Sequence, residues 1–394
     1  MQREPWSNRP HIVLVGRRNV GKSSLMNALT NQPMSLVSDV PGTTTDPVKK
    51  AFELLPFGPV VFVDTGGLDD VGELGLMRVH RARREMAAAD LVLHVVEAGE
   101  WSAADEELHS RFASGPTPYI LVVNKIDRAP GWRAPVAEAR YVSATAGEGV
   151  AVLKGELSNR LRTVTAVQPT ILGDLVKGGD LVVLVVPLDL EAPKGRLILP
   201  QVMALRDVLD HDAAGLVVKE RELYATLARL GRKPDLVICD SQVVLKVSAD
   251  VPPDVRLTTF SILFARLKGD LAGFVKGARA IETLRDGDRV LIAEACSHHP
   301  IADDIGRVKI PRWIRQYTGR EIVFESIQGT DWPADLERYK LVVHCGGCMA
   351  TAKVIRLRQA EAAEKGVPVT NYGVAISYVH GVLPRVVAPL GIVE

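Results

Sequence analysis

Residues 11–30, HIVLVGRRNVGKSSLMNALT, specify the N-terminal fold more strongly than any other stretch. The run HIVLV predicts a buried strand, and SSLMNALT predicts the first turns of a helix. Between them, Gly16-RRNV-Gly21-Lys22-Ser23 has the GxxxxGK[ST] spacing of a phosphate-binding loop at a strand-to-helix junction. Glycines let the backbone wrap closely around phosphate groups, while lysine reaches their outer oxygens and a serine hydroxyl binds magnesium. We therefore predict a nucleotide site here.

The chain around this loop alternates short apolar runs with longer stretches that can be helical, up to about residue 163. The apolar runs are HIVLVG, VVFVDT, LVLHVVEA, YILVVNK and ARYVSA. Parallel strands joined by crossover helices give this pattern. We expect a doubly wound α/β domain.

The whole chain is long enough for two or three domains. Its 394 residues are 47% hydrophobic and 24% charged, which is typical of globular proteins. We expect three α/β domains, over residues 1–165, 166–280 and 281–394. In the second, the apolar run DLVVLVVPL is compatible with strand pairing across a subunit boundary and equally with burial inside its own domain. The third has four strand candidates, RVLIAEAC, EIVFESI, KLVVHC and VPVTNYG.

Charge and hydropathy exclude some classes of partner. A net charge of +1 gives no single-sign field, so binding to nucleic acid is not expected. The apolar runs fall short of the ~20 residues of a membrane span, and the N-terminus does not resemble a signal peptide. We expect a cytoplasmic protein with no membrane contact.

Short motifs after the first strand add magnesium and γ-phosphate ligands to the nucleotide site. Asp64 closes the strand VVFV and can hold magnesium together with Ser23. Thr44, in PGTTTD, can complete the metal shell from a loop, and the Gly67 amide can meet the γ-phosphate. The expected catalytic residues are Lys22, Thr44, Asp64 and Gly67.

Two further motifs indicate which base is bound. Asn124-Lys125-Ile126-Asp127 ends the strand ILVV, and Ser143-Ala144-Thr145 ends the next one. A carboxylate at Asp127 accepts the N1–H and amino protons of guanine, and a backbone amide near Ala144 can donate to O6. This favours GTP over ATP. The expected nucleotide contacts are Gly16, Asn19, Gly21, Lys22, Ser23, Ser24, Asn124, Lys125, Asp127, Ser143 and Ala144.

The first 163 residues resemble translation-factor-class GTPases, in the branch that contains MnmE, Era and Der. The resemblance implies that Asn19 and Thr43 hold a potassium ion against the phosphates, so potassium-stimulated hydrolysis is expected. Leu68 stands where Ras-like enzymes have a water-orienting glutamine, and unaided hydrolysis should therefore be slow. Glu73 could activate water, although a loop glutamate is more often only solvated.

Three of the four cysteines are grouped near the C-terminus with histidines. The groups are Cys296-Ser297-His298-His299 and His344-Cys345-Gly346-Gly347-Cys348. Both follow predicted parallel strands, so they can converge at one sheet edge and bind a metal. The spacing is compatible with two kinds of metal site. One is zinc held by three cysteines and a histidine, and the other is a 4Fe–4S cluster with a vacant fourth position. Cys239, inside DLVICD, reads as a small core residue.

Essentially the whole chain resembles the HydF family of FeFe-hydrogenase maturation GTPases. The stretches that carry the resemblance are ILGDLVKGGDLVVLVVPLDLEAPKGRLILPQVMALRDVLD, CSH, HCGGC and TNYGVAISYVHG. It implies GTPase and dimerisation domains, followed by a domain that holds a 4Fe–4S cluster on Cys296, Cys345 and Cys348. His298 and His344 are then possible fourth ligands, and His299 is a bystander.

The same resemblance implies a role for the chain and a set of partners. A homodimeric scaffold or carrier would deliver a diiron precursor to apo FeFe-hydrogenase, with two radical-SAM maturases as further partners. The alternative is an RNA-linked GTPase, in tRNA modification or ribosome assembly, with a structural zinc site. The near-zero net charge argues against that alternative, because such proteins usually display a basic surface.

Overall fold

The computed structural model describes residues 6–31, 48–67, 73–165, 170–187, 197–295, 304–329 and 332–392. The chain forms two compact units, Met1–Gln168 and Pro169–Glu394. Parallel strands connected by helices dominate both units, which confirms the expected α/β class. None of the helices in the described ranges is long and apolar enough to cross a membrane.

The first unit contains a six-stranded sheet in the order β2-β3-β1-β4-β5-β6. The strands are β1 (His11–Val15), β2 (Val48–Leu54), β3 (Gly58–Asp64), β4 (Leu91–Glu97), β5 (Tyr119–Asn124) and β6 (Ala139–Tyr141). Neighbours are parallel except β2 and β3, which are antiparallel. The five strands expected from apolar runs are confirmed. The sixth, β2, reads VKKAFEL and is only partly buried, so it carries no apolar run.

Helices cover both faces of this sheet. Those described are α1 (Lys22–Thr30), α2 (Glu73–Ala88), α3 (Ala103–Ser114) and α4 (Val150–Val164). Along β1, Ile12 and Leu14 pack in one core while Val13 and Val15 pack in another. Burial on both faces explains why this strand is apolar throughout. The carboxyl ends of its parallel strands share one edge, where the loops of an α/β sheet bind ligands.

The second unit contains two four-stranded parallel sheets, in the orders β10-β9-β7-β8 and β12-β11-β13-β14. The strands are β7 (Leu181–Val185), β8 (Ala214–Val218), β9 (Leu236–Cys239), β10 (Arg256–Thr259), β11 (Arg289–Ala293), β12 (Val323–Ile327), β13 (Leu341–His344) and β14 (Val369–Asn371). The four strand candidates of the third sequence block are confirmed as β11 to β14. The run DLVVLVVPL forms β7, which pairs with β8 on one side and β9 on the other. β7 is therefore an internal strand with a neighbour on each side. The alternative that β7 pairs across a subunit boundary is wrong.

The two sheets of the second unit share one core. Their helices are α5 (Leu199–Asp210), α6 (Leu223–Arg229), α7 (Val244–Asp250), α8 (Phe260–Lys268), α9 (Leu271–Ala278), α10 (Ile310–Thr318), α11 (Ala352–Glu364), α12 (Tyr372–Val379) and α13 (Leu383–Val387). Val183 of β7 and Leu291 of β11 belong to the same cluster of buried side chains. The domain boundary proposed near residue 280 falls in the short turn Arg279–Thr283, between α9 and β11, and remains a prediction.

Candidate functional site

The phosphate-binding loop lies between the end of β1 and the start of α1. Gly16 and Gly21 have φ angles of 149° and 92°, which L side chains rarely adopt. A Cβ at Gly16 would also lie 2.2 Å from the carbonyl oxygen of Val95. The Lys22 Nζ donates to Gly16 O at 3.0 Å and to Arg17 O at 2.8 Å. The loop thus has the shape and the cation that a phosphate group requires.

Ser23 and Asp64 meet beside this loop. The Ser23 hydroxyl donates a short hydrogen bond to the Asp64 carboxylate. Burial raises the pKa of Asp64, and the Ser23 bond and the nearby Lys22 charge oppose that shift. Asp64 Oδ1 has no hydrogen-bond partner within the part of the chain that the structure describes. A buried carboxylate oxygen next to a serine hydroxyl suits a hard cation such as magnesium.

The remaining residues expected at the phosphates are only partly described. Thr43, Thr44 and Leu68 lie outside the described residues. Gly67 is buried three residues after the end of β3, and Glu73 begins α2. Asn19, within the loop, and Ser24, in the first turn of α1, are exposed, and Asn19 has a left-handed backbone with φ 62°.

The two base motifs are joined to the phosphate loop by hydrogen bonds. Asn124 Nδ2 donates to Val20 O at 3.0 Å, and its Oδ1 accepts from the Ala144 amide at 3.0 Å. That amide, expected to face guanine O6, is therefore used inside the protein in this structure. The Lys125 ammonium reaches back to Asn19 O at 2.5 Å and to Glu97 at 2.7 Å.

The side chain of Asp127 is positioned by Ser143. The Ser143 hydroxyl donates to Asp127 Oδ1 at 2.6 Å, and this bond lowers the pKa of Asp127. The carboxyl group is therefore ionised at neutral pH and can accept two protons from guanine.

The cysteine turn, residues Cys345 to Ala350, follows β13 and lies at the carboxyl edge of the second sheet of the second unit. The Cys345 amide donates to Ala293 O of β11 at 2.8 Å, which continues the pairing of β11 with β13. The Ala295 amide donates to Cys345 Sγ at 3.1 Å, and the Gly347 amide lies 3.4 Å from the same sulfur. Ala295 immediately precedes Cys296 in the sequence. The structure therefore brings the segment before Cys296 against the sulfur of Cys345.

Gly347 allows the chain to turn between the two cysteines. Gly347 has φ 61°, and a Cβ there would lie 2.8 Å from Ile355 Cδ1. Burial raises the pKa of Cys348, and the nearby charge of Lys268 opposes that effect. Cys239, by contrast, is completely buried in β9, where burial raises its pKa well above the usual value.

His344 uses both ring nitrogens inside the protein. Nδ1 lies 2.8 Å from Cys345 O, and Nε2 lies 3.0 Å from Arg358 Nη1. A carbonyl only accepts and a guanidinium only donates, so the ring is neutral with its proton on Nδ1. Burial and the Arg358 charge lower the pKa of His344 to about 3. In this structure His344 holds the carbonyl of Cys345, and its role as a fourth metal ligand stays a prediction.

The other expected metal ligands, Cys296 and His298, lie outside the described residues, as does His299. Within the described ranges, no group of three or more histidine, cysteine, aspartate or glutamate side chains is placed to hold a metal ion. What the structure shows of the site is two thiols on one turn and backbone amides directed at a sulfur.

Three family models match successive parts of the chain. Residues 11–125 match the 50S ribosome-binding GTPase family. Residues 171–269 match the hydrogen maturase F dimerization domain, and residues 272–389 match its tetramerization domain. The chain belongs to the hydrogen maturase F family. Both domain names indicate an oligomer of hydrogen maturase F, which extends the expectation of a dimer.

Individual relatives are similar mainly to the N-terminal GTPase part of the chain. The tRNA modification GTPase MnmE of Azoarcus sp. (strain BH72) is 36% identical over 234 residues, 57% of this chain and 45% of that protein. MnmE of Acaryochloris marina (strain MBIC 11017) is 36% identical over 172 residues, 41% and 36% of the two chains. The chain thus spans less than half the length of these curated relatives. A variant of Era from Aquifex aeolicus is 20% identical, with 53% of this chain and 92% of that chain covered and a TM-score of 0.33.

Sequence reasoning missed several residues that support these sites. Arg17 Nε donates to the fully buried Asp105 at 3.0 Å, which fixes the phosphate loop to the start of α3. Lys268 donates to carbonyls of the cysteine turn, and Arg358 holds His344. Arg17 lies inside the loop motif, where the pattern allows any residue. Lys268 lies far from the cysteines in the sequence, and Arg358 lies within the following helix α11, where no motif marks it.

Proposed function

We propose that the chain is a GTP-hydrolysing scaffold or carrier for the maturation of FeFe-hydrogenase. The observation that carries the proposal is the contact between the Ala295 amide and Cys345 Sγ, which joins the two cysteine segments. The matches of residues 171–269 and 272–389 to hydrogen maturase F domains support this role over that of an RNA-linked GTPase with a structural zinc site.

The first part of the proposal concerns the nucleotide site. Lys22 and the loop amides would bind the phosphates, while Ser23, Asp64 and Thr44 would hold magnesium. Asp127 would select guanine because its carboxylate is ionised and positioned by Ser143.

Potassium, held near Asn19 and Thr43, would offset the charge that develops on the phosphates during hydrolysis. Turnover of GTP should therefore be faster in potassium chloride than in sodium chloride at equal ionic strength. Equal rates in the two salts would contradict the potassium site.

The second part assigns a 4Fe–4S cluster to Cys296, Cys345 and Cys348, with His298 as the candidate for the fourth position. The donor set fits, because thiolates are the usual ligands of such clusters and backbone amides stabilise negative sulfur. A cluster on three cysteines would supply an iron with an open coordination position, where a diiron precursor can attach and leave. Anaerobic reconstitution with iron and sulfide should give a brown protein whose visible absorption bleaches on reduction. A colourless protein that retains zinc would contradict the assignment.

The third part concerns how the two sites serve maturation. GTP and its magnesium would order the two segments that carry Thr44 and Gly67, and hydrolysis would release them, changing how partners dock. The partners are apo FeFe-hydrogenase and two radical-SAM maturases. We expect Lys22→Ala to impair activation of apo-hydrogenase in a reconstituted mixture, with Lys154→Ala, an α4 substitution away from the loop, as the control. Full activation by Lys22→Ala would refute the coupling of hydrolysis to transfer.

The fourth part concerns the surface used for dimerisation. β8 is an edge strand of its sheet as described, and Val217 on it is 42% exposed. Leu209 and Tyr224, on α5 and α6, are also exposed. An edge strand with exposed apolar neighbours can pair with the same strand of a second copy. Val217→Lys should lower the molar mass measured by light scattering, whereas Val152→Lys on α4 should not. An unchanged mass for Val217→Lys would place the interface elsewhere.

A further inference from the structure

The side chain of Lys268, the last residue of α8, is buried beneath the cysteine turn and only 3% exposed. Its ammonium donates to Gly347 O at 2.8 Å, to Cys348 O at 3.2 Å and to Ala350 O at 2.7 Å. All three of its protons are thus used on the backbone of the turn that carries the thiols.

A second contact fixes the end of α8 to the helix that follows the turn. Gln359 of α11 accepts from the Asp270 amide at 2.9 Å and donates to Asp270 O at 3.1 Å. At Gly269, between Lys268 and Asp270, a Cβ would lie 2.7 Å from both Gln359 Oε1 and Phe274 Cε2. Close packing therefore sets the position from which Lys268 reaches the turn.

The charge on Lys268 is not matched by a carboxylate. None of its described partners is an aspartate or glutamate. Burial lowers the pKa of Lys268 to about 8, and the nearby thiols of Cys348 and Cys345 oppose that shift. A buried cation surrounded by neutral carbonyls is costly unless an anion lies close to it. The anion that this place can hold is a thiolate or a negatively charged metal–thiolate group.

We propose that Lys268 is a positioning residue of the cysteine site, which holds the turn from Cys345 to Ala350 in shape and supplies the positive charge opposite an anionic metal–thiolate group. The nature of that group rests on the proposed function, whereas the positioning does not. A cluster bound by three thiolates becomes more negative on reduction, so a fixed cation nearby raises its reduction potential. Lys268 lies in the predicted second domain, residues 166–280. That part of the chain therefore contributes directly to the cysteine site.

Amide hydrogen exchange in the metal-free protein tests the positioning. Lys268→Met keeps the length of the side chain and removes its three donors. We expect exchange in peptides covering residues 345–351 to become roughly tenfold faster in this variant, because about 1.4 kcal/mol of local stability is lost. Lys276→Met, which changes an exposed lysine of α9, should exchange as wild type does. Unchanged exchange in Lys268→Met, with wild-type circular dichroism, would overturn the proposal.

The reduction potential of the reconstituted cluster tests the charge. Lys268→Met should lower the potential, whereas Lys268→Arg keeps the charge and should leave it near the wild-type value. The arginine variant separates the two roles, since a planar guanidinium cannot direct three N–H groups from one point. Amide hydrogen exchange in Lys268→Arg should therefore become faster, whereas the reduction potential of its cluster should stay near the wild-type value. An equal potential in Lys268→Met and wild type would overturn the charge role, and absence of iron in the wild type would overturn the proposed function instead.

Discussion

The nucleotide site and the cysteine site both lie at the carboxyl edge of a parallel sheet, but they are built differently. In the nucleotide site, residues of the sequence motifs contact one another: Ser23 binds Asp64, Lys125 binds Asn19, and Ser143 binds Asp127. In the cysteine site, the motif is held by residues outside it, Lys268 and Arg358. A site whose motifs contact one another can be recognised from its sequence, although Asp105 also fixes its loop from outside the motifs. A site that depends mainly on residues outside its motif needs the fold.

Removal of the thiols is the largest expected change and tests whether the sites are separate. Cys345→Ser combined with Cys348→Ser removes two of three proposed ligands, so we expect loss of essentially all bound iron after anaerobic reconstitution. GTP hydrolysis should persist. Iron analysis and a phosphate-release assay measure the two effects, and Cys239→Ser, at the buried core cysteine, is the matched control. Retained iron would show that the cluster lies elsewhere.

The opposite substitution, Lys22→Ala, should affect only the nucleotide site. Loss of the cation at the phosphates is expected to reduce turnover of GTP by roughly 100- to 1,000-fold, the range for removal of one preorganised donor. Iron content should equal that of the wild type. A loss of iron in this variant would mean that the two sites are coupled in assembly.

Base recognition provides a smaller effect within the nucleotide site. Asp127→Asn replaces a charged acceptor with an amide that both accepts and donates, so GTP should bind roughly 10- to 100-fold more weakly. Xanthosine triphosphate, which has a carbonyl where guanine has an amino group, should bind better to the variant than to the wild type. Competition binding measures both ligands. An unchanged preference for GTP would remove Asp127 from the base site.

Two buried histidines, one in each unit, differ in their hydrogen bonding. His344 has both ring nitrogens hydrogen-bonded, whereas His94 in β4 has partners for neither among the described residues. His94 is completely buried between Trp101 and Phe112, and burial lowers its pKa to about 4. In the unfolded chain the His94 ring is protonated below about pH 6.5, whereas in the folded protein it stays neutral down to about pH 4. The contribution of neutral His94 to the free energy of unfolding is therefore fully present above pH 6.5 and decreases as the pH falls toward 4.

His94→Phe should reduce this acid sensitivity, because the ring is kept and the titrating group is removed. In the wild type, His94 should account for a loss of about 2 kcal/mol in unfolding free energy between pH 7 and pH 5. Urea unfolding at the two pH values, followed by tryptophan fluorescence, measures the difference. If the variant loses as much stability as the wild type, His94 is not the cause.

Apolar runs predicted most of the fold because buried parallel strands must be apolar on both faces. Two of the described strands carry no apolar run: β2, which pairs antiparallel at the edge of its sheet and is half exposed, and β10, which reads RLTT. The run DLVVLVVPL could be recognised as a strand, but its place between β8 and β9 depends on long-range pairing. Local spacing does not encode such pairing.

The same limit applies to the site residues. The sequence motifs predicted that Ser23 and Asp64 would lie close together, although these residues are 41 positions apart. They did not predict that Ala144 would donate to Asn124, nor that Arg358 would occupy the second nitrogen of His344. Those contacts depend on how neighbouring elements pack against the strand ends.

Metal analysis of the wild-type protein, purified without oxygen, tests the central claim most directly. If Cys296, Cys345 and Cys348 hold an iron–sulfur cluster, iron and acid-labile sulfide should be present in equal amounts, and zinc should be absent. Zinc in place of iron, or neither metal after reconstitution, would contradict the account of the cysteine site and leave the nucleotide site alone.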